Sequence, residues 1–502
     1  MRQGKCLGYL PCAFAAALFF IAGCSHAVFP TTGGGGGSTA PMMLMFHDTP
    51  PAGVTVTSFE VTVTGAVLQP GNVSLLASPQ TIELTQLQTN SAFLSTTNVK
   101  AGTYTSLAVT YANPKFTFLN DTGTQVTVGG QACSAGASCV VSAPTISGAL
   151  TLTLSAPAFP SLLVTASTQT LVEVDVNLNN IIQPDFSLNF GTSASGGSGA
   201  VTVTQSTGTA GSTKIGNFNV TGQVASATAS STNQFTLTTP AGQTLTIKAN
   251  AAAFEFARAN CAANDFTCLA TGQIVDANVD IFSDGSLSAT EVDFDDASGA
   301  QQVSGTIVTE NNSPPTSFQM IVHNTIPPVA SLPPGTPVTV NIGGTASFVI
   351  NNGSFVLPTG MTFATTSDLL EGQEVEARVA SGTSISNGAF TTDRLALEQT
   401  QIQSKVTSLN TTAQPPQPSF VLTPLPPLFS QSPVSPVTQI QVLAITQGTT
   451  ALTTFEDLTP LGITGLTAAQ PVSVGGFLFN TIGTVGSPTI IATTVRGEVP
   501  GT

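Results

Sequence analysis

The chain has no tryptophan, three tyrosines and three histidines in 502 residues, and only 7% of its residues are charged. Each shortage excludes something. Sugars commonly stack on exposed Trp or Tyr, and outside the leader only Tyr104 and Tyr111 remain, so a stacking glycan site is disfavoured. The 29 Phe sit mostly at apolar parity and read as core. Basic residues number 11; Arg2 and Lys5 lie in the leader, leaving nine against 26 acidic residues, a net of −17. Nine scattered cations cannot form the dense patch that releases counterions from a polyanion, which excludes nucleic acid and binding to an anionic membrane surface through basic residues. The histidines are His26, His47 and His323, with no H-x-x-x-H spacing and no G-x-S-x-G elbow elsewhere. No convergent hydrolase constellation and no cofactor motif is legible, so a non-enzymatic chain without a cofactor is expected. His47-Asp48, before a Pro-Pro turn, reads as a strand-start histidine, the alternative being an active site centred on it.

What is present is β-forming. Charge is far below the usual quarter of residues, yet apolar content is 41%, so the chain is not of the disordered class. Solubility must rest on Thr, Ser, Asn and Gln, which suit the outer face of strands. The length suggests roughly three to four domains.

Met1–Lys5 is a short basic region and Leu7–Ile21 an apolar run too short to span a bilayer, which needs about 20 residues. Ile21-Ala22-Gly23-Cys24 follows, and resembles the lipobox of bacterial lipoproteins. The resemblance implies cleavage before Cys24, a diacylglyceryl group on its thiol and, with Ser25 next instead of Asp, the outer membrane, facing periplasm or cell surface. The plainer alternative is an ordinary signal peptide with an incidental Cys24. Residues 1–23 are then signal peptide and 24–40 a tether, its slackest part Gly33–Gly37. The partner implied is a membrane reached through lipid, with an envelope glycan or protein as a further candidate.

The remaining cysteines form two local pairs, Cys133 with Cys139 and Cys261 with Cys268, in Gly/Ser/Ala/Asn-rich stretches. In an exported chain such pairs read as disulfides. A zinc site is the alternative, but it needs about four ligands and no His is near.

Residues 41–190 show period-two alternation: Leu150, Leu152 and Leu154 with Thr, then Val172, Val174 and Val176 with Glu173, Asp175 and Asn177. This predicts an antiparallel sandwich, Ig- or transthyretin-like. Val54 and Val56 alternate on one parity and Phe59, Val61 and Val63 on the other, so two strands or a bulge are expected near Ser58. "HDTPP", "LQP", "KAGTYTSLAVTY" and "VEVDVNL" together resemble the bacterial family catalogued as domain of unknown function 4382, over Pro41–Phe190. That resemblance implies the sandwich and is silent on activity; His47 stands where the family usually has a Thr or Ser-like residue.

Residues 191–214 read as a linker by composition. Beyond them the chain repeats with a period of about 100 residues, giving modules at 215–303, 304–403 and 404–502. Gly222 to Phe235 and Gly305 to Phe318 are each 13 apart; Gln273 and Gln373 are 100 apart, and Gln470 follows 97 later. The repeats resemble the family catalogued as domain of unknown function 5666, through a Gly-x-Val opening and Asp284-Gly285-Ser286-Leu287-Ser288-Ala289. Five strands of this pattern close as small OB-like barrels. The expected fold class is therefore all-β: one sandwich followed by about three OB-like modules.

Acidic residues cluster once. Asp276, Asn278 and Asp280 alternate on one strand, Glu291, Asp293 and Asp295 on the next, with Asp284 in the turn. Oxygen ligands on facing strands could hold Ca2+, although Ile281 stands where a calcium loop has Gly. A solvated outer face is the alternative. The function expected is a lipid-anchored envelope protein with a binding or structural role, the alternative being a carbohydrate or small-ligand binder.

Overall fold

In the strand Thr39–Thr49, the run Met42-Met43-Leu44-Met45-Phe46 is apolar at both parities because both of its faces are covered. Met42, Leu44 and Phe46 enter the core of the N-terminal sandwich, and Met43 and Met45 enter the core of the next unit. A strand buried on both sides loses the apolar–polar alternation that a half-exposed strand keeps. The computed structural model describes residues 38–49, 55–147, 150–191, 199–207, 213–250, 252–255, 265–294, 301–311, 314–352, 355–411, 417–430, 436–447, 450–481 and 487–498. Gly37–Thr502 forms one compact unit.

The sandwich has two layers. In one, Thr39–Thr49 runs parallel to Thr170–Asn177 and antiparallel to Ala92–Lys100, while Val201–Thr207 closes the far side of Thr170–Asn177. In the other, Thr55–Gln69 pairs with Ser106–Leu119. The parity switch near Ser58 is a bulge in a single strand, with the register shifting between Val56 and Ser58. Aromatic rings fill the space between layers: Tyr111 lies 6.4 Å from Phe46 and 5.4 Å from Phe190, and Phe118 stacks 4.1 Å from Phe186. Burying each such ring contributes about 2 kcal/mol. The 191–214 segment, read from composition as a linker, contains the Val201–Thr207 strand. Its Val201 and Val203 are buried, and their alternation with Thr outweighs the Gly/Ser flanks.

Three five-stranded rings follow, all with one connectivity. The first strand pairs antiparallel with the second and the fourth, the second with the third, and the fifth with the fourth; the third runs parallel to the fifth. In the first ring these are Lys214–Thr228, Gln234–Thr238, Thr244–Lys248, Ile274–Phe282 and Leu287–Phe294. In the second they are Gln302–Glu310, Ser317–Ile326, Pro337–Ile350, Glu374–Val379 and Ala389–Leu397, a closed barrel. In the third they are Thr400–Asn410, Ser419–Leu422, Ile440–Ala444, Pro471–Phe479 and Thr489–Gly497. The protein is thus all-β, with OB-like rings behind a sandwich.

The repeat landmarks have physical causes. A 3-10 turn precedes the fourth strand of each ring: Phe266–Cys268, Thr366–Asp368 and Ile463–Gly465. The Gln that ends each turn region accepts a backbone N–H three residues back through its side-chain oxygen, from Ala270 at 2.6 Å, Leu370 at 2.8 Å and Thr467 at 2.9 Å. Its carbonyl accepts from Val224, Ile307 or Val406 on the first strand of the ring. Gly305 sits where a Cβ would lie 2.0 Å from the Ile321 carbonyl, so only glycine lets the first two strands of its ring close.

The rings share cores with their neighbours. Leu478 packs inside the third ring while Phe477 and Phe479 enter the core of the second. His323 and Gly335 of the second ring meet the sandwich directly: Thr117 Oγ1 donates to the Gly335 carbonyl at 2.6 Å and Lys115 Nζ to Pro334 at 2.7 Å.

Candidate functional site

Cys24 and Cys261 lie outside the described residues. Cys133 and Cys139 form a disulfide across the turn between Gln131–Cys133 and Ser138–Val141. Cys268 is also disulfide-bonded.

The acidic hairpin forms as the alternation implies, Asp276 opposite Asp293 and Asn278 opposite Glu291. Asp295 lies outside the described residues, and the structure divides the other five candidate acids. Asp280 pairs with Lys214 at 2.9 Å, and Asp284 accepts the Ser286 N–H in the turn at 2.9 Å. Asp276, Glu291 and Asp293 remain together, but among the described residues no three His, Cys, Asp or Glu converge to hold a metal ion. Their face is also not an open, solvated one: it walls a groove of about 530 Å3 whose far side comes from the second ring. Packing of one ring on another covers a face that the hairpin's own pattern presents to water. Burial, opposed by hydrogen bonds from Asn219 and Thr221, pushes the Asp276 carboxyl up to about 6.

A larger cleft, about 650 Å3, opens where the sandwich meets the second and third rings. Junctions between domains and volumes of this size are where small ligands commonly bind. Its sandwich wall carries Gln88, Asn177 and Asn180; its opposite wall carries Gln401, Gln403 and Ser404. Gln401 ties the walls together, its Oε1 accepting from Thr89 N at 2.8 Å and its Nε2 donating to the Gln86 carbonyl at 2.6 Å. Gln88 Nε2 donates to the Thr85 carbonyl at 3.2 Å, while its buried Oε1 has no hydrogen-bond partner. Leaving a buried acceptor unpaired costs about 1–3 kcal/mol, which a ligand O–H or N–H would recover. Pro424–Phe429 supplies an apolar stretch of the lining. The Phe429 ring is seated against Gly372, where a Cβ would come within 2.3 Å of the ring and where φ is +90°. Charged groups stand at Glu374, Glu498 and Lys405. Glu374 is engaged with His323 and accepts from Thr306 at 2.8 Å, and Glu498 accepts from Ser473 at 2.6 Å.

His47 lies opposite Asp175 in the parallel pair, its Nδ1 3.6 Å from Asp175 Oδ1, and Thr49 Oγ1 donates to the same oxygen at 3.1 Å. An imidazole, an acid and a hydroxyl therefore do meet. His47 lines neither of the two clefts, however, and its neighbour Asp48 is fully buried. Burial first, then the charges of Asp175, Glu498 and Glu83, hold the Asp48 carboxyl well above the usual range. Neither cleft is legible in the sequence, because each is assembled from segments more than 200 residues apart.

No family model matches the chain, and no curated protein matches it. Among solved structures it is similar to drosophila Unr CSD456, at 12% identity over 56% of this chain and 98% of that one, with a TM-score of 0.12. A likeness at that score carries no weight for fold or function.

Proposed function

We propose that this is a lipid-anchored cell-envelope protein with a non-catalytic binding role, its ligand a neutral, hydroxyl-rich molecule of roughly saccharide size held in the cleft between the sandwich and the second and third rings. The observation that carries this reading is the cleft wall. Its polar groups are mostly amides and hydroxyls of neutral residues beside an apolar surface, and Gln88 presents a buried oxygen that lacks a donor. Neutral hydroxyl groups match such a wall without the desolvation cost of a buried charge. With no Trp in the chain, binding here rests on hydrogen bonds and the Pro424–Phe429 surface instead of ring stacking.

The test is a glycan array followed by calorimetry with the mature chain and its Gln88→Ala variant. Saturable binding of a neutral oligosaccharide is expected, weakened roughly tenfold or more by Gln88→Ala. If no neutral saccharide binds, the reading fails and a structural envelope role takes its place.

A further inference from the structure

Glu498 and Gln403 both line the larger cleft from the third ring, and strand register brings them together. Along Thr400–Asn410, Ile402 and Val406 enter the core of the ring, so Gln401 and Gln403 lie on the opposite face. Gln403 pairs directly with Ser473 on Pro471–Phe479, which sets their Cβ atoms about 5 Å apart on one face. Ser473 is fully buried, and its Oγ donates to Glu498 Oε1 at 2.6 Å. Glu498 N donates to the Pro471 carbonyl at 3.1 Å, fixing the residue just past the end of Thr489–Gly497. Ser473 therefore joins the pair: the carboxyl rests on its hydroxyl, and the amide starts from the strand position facing it.

Both side chains have unfilled hydrogen-bonding capacity. Thr49 Oγ1 lies 3.5 Å from Glu498 Oε2 but only 3.1 Å from Asp175 Oδ1. A hydroxyl has one hydrogen to donate, and the nearer acceptor takes it. Glu498 Oε2 is thus left without a close donor, between two residues that line the cleft. Gln401 is tied to Thr89 and Gln86. The Gln403 amide, next along the same face, makes no side-chain hydrogen bond among the described residues. Gln88 Oε1, on the sandwich wall, is a further open acceptor that depends on neither.

We propose that Glu498 and Gln403 are the specificity-determining pair of this cleft and together read a vicinal diol on a sugar ring. One hydroxyl donates to Glu498 Oε2, and its neighbour accepts from Gln403 Nε2. This inference rests on the saccharide reading of the cleft and narrows it, from hydroxyl-rich molecules to those with adjacent ring hydroxyls. A hydrogen bond to a carboxylate is about twice as strong as one between neutral groups. The same charge repels a ligand carboxylate or sulfate, so Glu498 also selects against acidic sugars. A ligand without the diol would leave both groups desolvated and unpaired, which is how a polar site rejects a near analogue.

The test is calorimetry on the mature chain with maltotetraose, cellotetraose and mannotetraose, each intact and after periodate oxidation and borohydride reduction. That treatment opens rings at vicinal diols and leaves hydroxyls but no ring diol. Burial raises the Glu498 pKa above its ordinary value, the Ser473 hydrogen bond opposing it, so titrations run at about pH 8. At least one intact sugar should bind saturably, weakened roughly tenfold or more by Glu498→Gln and by Gln403→Ala. Asp185→Asn, which removes a charge from an exposed turn, should change nothing. The opened sugar should bind the unaltered chain roughly tenfold more weakly, with no further loss in either variant. If Glu498→Gln does not fold, Gln403→Ala decides. Equal binding of intact and opened sugar, or the same loss for both forms in the variants, overturns the diol assignment and leaves the saccharide reading standing. So does an intact sugar weakened by Gln88→Ala but by neither Glu498→Gln nor Gln403→Ala. If no intact sugar binds, the saccharide reading fails and this inference fails with it.

Discussion

His323 Nδ1 lies 2.9 Å from Glu374 Oε1, and its Nε2 lies 2.8 Å from the carbonyl of Thr57. Both ring nitrogens face acceptors, so the ring satisfies both only as imidazolium, with a proton on each. The contact joins the second ring to the sandwich.

Burial alone would lower the pKa of His323. The Glu374 charge and hydrogen bond outweigh it, with smaller contributions from Glu83 and Thr57, and raise it to about 9. A folded-state value above the unfolded one of about 6.5 means the stabilisation is complete below about pH 6.5 and lost as pH rises through 9. Urea unfolding should therefore show stability falling by up to about 3 kcal/mol across that window. His323→Gln should be less stable below it and should lose that part of the slope. A wild-type profile no steeper than that of His323→Gln would refute the imidazolium assignment.

Arg496, 7% exposed, stands 3.1 Å from Glu456, 3.3 Å from Asp457 and 3.9 Å from Glu173. Its charge links the third ring to the sandwich strand Thr170–Asn177. Arg496→Met strands buried carboxylates and should cost about 3–5 kcal/mol. Asp457 is 65% exposed at its side chain, so Asp457→Asn should change stability by less than about 1 kcal/mol. Denaturant melts of the two variants side by side check the contrast; similar losses in both would mean the network is not centred on Arg496.

Cys24→Ala tests the anchor. Under the proposed lipoprotein reading the substitution removes the acyl chains, whose buried methylenes are each worth about 0.8 kcal/mol in the bilayer. The variant should move from the membrane to the soluble fraction on cell fractionation. Retention in the membrane fraction would defeat the lipoprotein assignment.

Much of the fold was legible in the sequence because its causes are local. The Gln273, Gln373 and Gln470 spacing marks a turn in which a side-chain amide closes on a backbone N–H three residues away, and such chemistry repeats wherever the residues do. The parity switch at Ser58 marked a bulge for the same reason. Less could be read of what one unit does to another. Met42–Phe46 shows an unbroken apolar run, but nothing local says that alternate residues serve two cores. The acids of the hairpin were visible, while their place in a groove was not, since Asn351 and Glu398 arrive from a different ring.

By itself, then, the sequence determined an all-β chain of one sandwich and repeated OB-like rings, a deficit of positive charge and two local cysteine pairs. Alternation, turn chemistry and composition act within a few residues and leave a direct trace. Only the tertiary structure decided which polar faces became cleft walls and which charges were buried. Those outcomes depend on packing between strands far apart in the chain, where desolvation of a group is set by whatever covers it.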